Sequence, residues 1–108
     1  MPMFLGRFSY SADSVKALVD NPVDRTQVVA DTCASVGGKL HGFWYSFGEF
    51  DGYYVFEGPD NASALALSAV VAQSGAMSTV ETIPLMSADE AVEGFRKAQS
   101  AAYSVPGS

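Results

Sequence analysis

Hydrophobic residues recur with two periods along this chain, and the switches between them mark the elements. Met3 to Tyr10 sets Phe4, Leu5, Phe8 and Tyr10 around Arg7, an apolar run of strand length. Arg7 is unusual in its middle, because a strand interior rarely carries an unpaired charge. Ser11 is placed to cap a helix over Ala12 to Asp20, with Asp13 favourable in the first turn. Asn21-Pro22 interrupts that helix. Pro22 suits the first position of a second helix with Asn21 as its cap, running to about Val36, with Val29, Cys33 and Val36 on one side. Gly37-Gly38 supplies the stop. From Lys39 to Pro59, two runs rich in aromatic and β-branched residues flank Gly48-Glu49-Phe50-Asp51-Gly52, which predicts two strands and a tight turn.

The period then returns to that of a helix. Asp60 or Asn61 caps a segment to about Ser74 that is apolar almost all round, and Gly75 ends it. Met77 to Met86 alternates again, with Thr79, Val80, Thr82 and Ile83, and predicts a fourth strand. Ser87-Ala88-Asp89-Glu90 is a capping box opening a helix whose one face carries Ala91, Val92, Phe95, Ala98 and Ala102. Tyr103 to Ser108 reads as an irregular tail.

This order, β-α-β-β-α-β with an added carboxy-terminal helix, is that of the ferredoxin-like α+β fold, an antiparallel sheet with helices on one face and strand order 4-1-3-2. Residues 1–108 form one such domain. The other face then needs a cover. Phe43, Tyr45 and Phe47 alternate with Trp44, so neither side of the second strand looks solvated. Two sheets packed face to face meet that need, which predicts a homodimeric α+β barrel or a larger homo-oligomer.

Charge and cysteine content narrow the partners. The net charge is −6, and the six basic residues are dispersed along the chain. Phosphate backbones require a clustered cationic face, so no nucleic-acid partner is expected. The single cysteine, Cys33, excludes an internal disulfide and fits a reducing compartment. The amino terminus lacks a signal-peptide pattern, and the longest nearly apolar run, Ala62 to Ala72, falls short of a membrane span. The expectation is a cytoplasmic protein without membrane contact.

Gly37-Gly38-Lys39-Leu40-His41-Gly42-Phe43-Trp44-Tyr45, then Phe47-Gly48-Glu49-Phe50-Asp51, then Glu57-Gly58-Pro59-Asp60 before the Ala-rich helix resemble the GYD family of small bacterial proteins. Gly75 followed by the Thr79 to Thr82 strand adds to the resemblance, which covers roughly Met3 to Ala98. It implies a ferredoxin-like subunit that oligomerises, and it supplies no reaction. Phe50 departs from the family, which commonly carries tyrosine there, so a role for that phenol hydroxyl does not apply.

The candidate chemistry is sparse. Histidine is the side chain whose ordinary pKa lies nearest neutrality, and His41 is the chain's only one. Arg7, Glu57 and Glu81 form a second set: strand order 4-1-3-2 puts Arg7's strand between the other two, where its guanidinium fork can bridge two carboxylates. The plainer alternatives are a half-buried, hydrogen-bonded histidine and a structural ion pair. Trp44, Tyr45, Tyr53, Tyr54 and Phe56 are candidates to line a cavity for a flat or apolar molecule, or else to form dimer core. Gly48 to Gly52 reads as a turn, with Gly48 and Asp51-Gly52 supplying positive φ and Glu49 facing water.

Several signatures fail. Leu40 follows Gly37-Gly38-Lys39, so there is no P-loop. One His and one Cys without paired spacing give no zinc site, and Ser46 lacks a nucleophile elbow or triad. Haem would rest on His41 alone. No cofactor or metal is expected. The functional expectation is a homo-oligomer that binds a small aromatic or apolar molecule on the non-helical sheet face. It would act on that molecule without a cofactor through His41, Arg7, Glu57 and Glu81, with Trp44, Tyr45, Tyr53 and Phe56 as the lining. The alternative is a non-catalytic structural or regulatory assembly module whose aromatic stripe is interface.

Overall fold

The computed structural model describes residues 1–107. Four antiparallel strands, β1 (Met3–Tyr10), β2 (Lys39–Tyr45), β3 (Gly52–Glu57) and β4 (Met77–Leu85), form one sheet in the order β2-β3-β1-β4. The helices are α1 (Ala12–Asp20), α2 (Thr26–Ser35), α3 (Asn61–Gln73) and α4 (Ala88–Ala98). This is the ferredoxin-like α+β arrangement that the alternation of periods predicts.

Local chemistry sets most boundaries. The side chains of Ser11, Asp60 and Ser87 accept from the backbone N–H of Ser14, Ser63 and Glu90, capping α1, α3 and α4. Gly37 and Gly75 follow α2 and α3 at φ +80 and +77, the left-handed conformation a helix stop uses. The start of α2 differs from expectation. Asn21 is the C-cap of α1, its N–H donating to the Ala17 carbonyl, and Pro22 opens no helix. Instead the Asp24 carboxylate accepts from both the N–H and the hydroxyl of Thr26, so α2 begins there.

The β2–β3 connection is likewise longer than a tight turn, spanning Ser46 to Asp51. Only Gly48 has positive φ, at +100. Gly52 lies in β3, where the ring of Phe8 occupies the space a Cβ would fill. The Asp51 carboxylate receives the Tyr10 N–H at 2.8 Å, and its own N–H donates to the Phe8 carbonyl at 2.8 Å, which ties the loop to β1.

The core lies between the sheet and α2 and α3. Phe4 and Phe8 of β1, Tyr54 and Phe56 of β3, Cys33 of α2 and Ala64 and Leu67 of α3 are buried together. The Phe4 and Phe56 rings stack at 5.2 Å. A single copy leaves much apolar surface outside this core. Leu65 and Val70 on α3 are exposed, and α4 buries no residue, with Phe95 on its apolar face 72% exposed. Ala102, expected on that face, lies beyond the end of the helix. The projecting α4 lengthens the molecule to 58 × 35 × 22 Å with a radius of gyration of 17.6 Å, against about 13 Å for a compact chain of this length.

Candidate functional site

Strand register divides the candidate residues between two faces. Phe4, Gly6 and Phe8 of β1 lie opposite Phe56, Tyr54 and Gly52 of β3, and these point toward the helices. Leu5 and Arg7 therefore point the other way, as does every second residue beside them. Three rows cross that open face. The middle row is apolar: Val55, Leu5 and Ile83 are partners across β3, β1 and β4, with Gly42 of β2 opposite Val55. On one side lies the row Trp44, Tyr53, Arg7, Glu81, and on the other Glu57, Met3, Leu85.

Each of these two rows holds one hydrogen-bonded side-chain pair, Arg7 with Glu81 and His41 with Glu57. Arg7 donates from Nε to Glu81 Oε2 at 2.5 Å, and its guanidinium lies 4.2 Å from the centre of the Phe50 ring. The hydrogen bond with Glu81 raises the pKa of Arg7, so the cation is permanent. Phe50 itself, from the β2–β3 loop, is buried. Four residues along β1, His41 Nε2 lies 2.7 Å from Glu57 Oε1, with both side chains about one-third exposed. An ionised carboxylate only accepts, so Nε2–H is the donor and Nδ1 remains available.

The predicted bridge of Arg7 to both carboxylates is therefore corrected. Glu81 is directly opposite Arg7, whereas Glu57 is opposite Met3. Four residues of strand separate those levels by about 13 Å, too far for one guanidinium to span. What the open face holds is two separate pairs with an apolar row between them.

A bulge places His41. Leu40 pairs with Phe56 and Gly42 with Val55, so His41 is the extra residue between them. The bulge inverts the alternation of β2: Phe43 and Tyr45 join Leu40 on the helical side, while Gly42 and Trp44 take the open face. The five aromatic residues expected to line one cavity are accordingly split. Trp44 and Tyr53 lie on the open face, Tyr54 and Phe56 in the core, and Tyr45 at the helical-side edge, where its hydroxyl is 3.1 Å from that of Tyr10.

The Trp44 indole lies over Gly42, where a Cβ would overlap its ring. Because Trp44 is 55% exposed, its ring can swing away. Gly42→Ala is thus expected to shift the tryptophan emission maximum while changing stability by less than about 0.5 kcal/mol. A loss above about 1 kcal/mol in a urea titration would show the indole to be fixed.

Sequence reasoning missed one feature on the other side of the sheet. Between the sheet and α2 and α3 is a cavity of about 90 Å3, walled by Phe8, Phe43, Tyr54, Cys33, Leu67 and Val71 among others. The signal was Gly6, a lone glycine within a strand, which marks a close approach by another group. That group is the ring of Tyr54. Among the described residues, no cluster of three or more His, Cys, Asp or Glu is arranged to hold a metal ion, and no helix is long and apolar enough to cross a membrane.

Fold, topology and the open sheet face together define a ferredoxin-like α+β protein with one helix-covered and one uncovered sheet surface. The family model for the GYD domain matches residues 4–94, and the chain belongs to that family. No curated protein matches it significantly.

Proposed function

We propose that this protein is a homo-oligomer that binds a small aromatic or apolar molecule between two sheets packed face to face, as a dimeric α+β barrel. The observation that carries the reading is the open face: an apolar row, Val55-Leu5-Ile83, bracketed by His41–Glu57 and Arg7–Glu81. An apolar centre with a polar border is the usual anatomy of a protein interface. The exposed apolar stripe of α4 asks for the same remedy, since Val92 and Phe95 have no cover within their own chain. A second copy supplies both covers.

Enclosure by that copy also gives the polar pairs a role. Glu57 holds the His41 ring through Nε2 and presents Nδ1 as the group that takes or returns a proton at a bound molecule. Arg7, fixed by Glu81 and by the Phe50 ring, offers its remaining N–H groups to an oxygen on that molecule. Trp44 and Tyr53 provide flat apolar walls beside it. The chemistry uses no cofactor and takes place in the cytoplasm.

Sedimentation velocity tests the assembly. The native chain is expected to sediment as a dimer or larger at micromolar concentration. Leu5→Lys, which puts an unpaired charge into the middle row, is expected to weaken association at least ~30-fold. A native chain that stays monomeric at ~100 μM, an affinity too weak to be of use, defeats the proposal. Native mass spectrometry of protein taken from its source then reads any small molecule that travels with the dimer.

A further inference from the structure

The β2–β3 loop holds an aromatic ring entirely in water: Phe47 is 102% exposed. A single exposed ring is ordinary on a protein surface. This one, however, sits on a loop tied down by hydrogen bonds on both sides. Ser46 donates its N–H to the Asp51 carbonyl and its hydroxyl to the Phe50 carbonyl, which closes the loop on itself. The Ser9 hydroxyl donates to the Glu49 carbonyl, and Asp51 accepts from Tyr10 and donates to Phe8, which fixes the loop to β1. An aromatic side chain on a fixed support makes a good interface anchor, because little backbone freedom remains to be lost when it is buried.

The same chain carries a recess for such a ring. The cavity on the helical side has chiefly apolar walls. The Tyr54 hydroxyl, which has no hydrogen-bond partner, is closed off over Gly6 and does not open into it. At about 90 Å3 the cavity is smaller than an engineered one of about 150 Å3 that accepts free benzene. That size favours a tethered ring entering part-way over a free molecule enclosed whole. The charges around ring and recess are opposite in sign. Arg25, at the start of α2, borders the cavity, and Glu49 stands two residues from Phe47. Both are exposed, and among the described residues neither forms an ion pair. We propose that Phe47 of one copy seats in the helical-side cavity of a second copy, with Glu49 paired to Arg25 at the rim. The chain's own Phe47 is held out of its own cavity by the bonds that fix the loop, so the occupant is another copy. This contact shares no residue with the open-face reading, so either stands or falls alone.

Leu67 and Val71 wall the cavity, so their methyl NMR signals report on its filling while sedimentation velocity reports on mass. Both are followed against protein concentration in the native chain and in Leu5→Lys, which weakens the open-face contact. In both chains the methyl signals are expected to shift saturably as the ring enters. Phe47→Ala, an exposed substitution, is expected to leave the melting temperature unchanged and to weaken this association at least ~10-fold. Arg25→Glu and Glu49→Lys each bring like charges together and should weaken it roughly 5-fold, whereas the two combined should restore it to within about 2-fold. Methyl signals in Leu5→Lys that do not move up to ~1 mM, weaker than a useful affinity, overturn the proposal. So does a Phe47→Ala chain that associates as its parent does, or a charge-exchanged double variant no better than either single one. Leu67 and Val71 shifts that persist where Leu5→Lys changes nothing else would sink the open-face reading and leave this contact standing.

Discussion

Gly6→Ala is expected to destabilise the protein by about 3 kcal/mol, the upper end of what overpacking a close-packed core costs. Gly6 is buried, and a Cβ there would enter the ring of Tyr54. Unlike Trp44 over Gly42, that ring has no room to move: it is 5% exposed, with the Phe56 ring stacked at 5.7 Å and the Phe8 ring at 6.2 Å. For a domain of this size the change lowers Tm by roughly 10–20 °C. A double-mutant cycle identifies the cause. Tyr54→Ala removes the obstacle as well as a core ring, so Gly6→Ala in that background should cost at least ~1 kcal/mol less than in the native one. Additive effects would mean that the glycine serves β1 for some other reason.

The second large effect is lability in alkali. Burial pushes the Cys33 thiol from 9.0 up to about 11 and the Tyr54 phenol from 10.0 up to about 12, and it raises Tyr10 as well. All three groups are held neutral by the fold, with folded values above the unfolded ones. Their contribution to stability is therefore complete below pH 9 and is lost as pH rises through the folded values. At about 1.4 kcal/mol per unit, Cys33 and Tyr54 together account for a loss on the order of 5 kcal/mol between pH 9 and 12. Urea titrations across that interval, with tyrosinate absorbance followed in parallel, should show stability falling as the buried phenols ionise. Cys33→Ala is expected to flatten the lower part of the fall. A flat profile from pH 8 to 12 contradicts this account.

Much of the architecture was legible in the sequence because its signals are local. Ser11, Asp60 and Ser87 cap helices where their side chains can reach the backbone, and Gly37 and Gly75 stop them. The Asn21-Pro22 break was visible, yet the start of the next helix was set by Asp24 and Thr26, whose mutual hydrogen bonds compete with the proline's preference. The site was harder to read. Facing on β2 depends on a single inserted residue, His41, and nothing in the alternation Lys39 to Tyr45 announces where the period is broken. Register separated Glu57 from Arg7, and register belongs to the pairing of strands instead of to either strand alone. The orphaned hydroxyl of Tyr54 was beyond reach for a related reason: a side chain's lack of partners appears only once all its neighbours are in place.

The outlying α4 has a practical consequence for weighing the assembly. A body with a radius of gyration of 17.6 Å travels through a gel matrix like a compact globule of considerably greater mass. On a column calibrated with spherical standards, an isolated subunit would elute where a pair is expected. Light scattering at the elution peak, which reads mass independently of shape, is what tells the two apart.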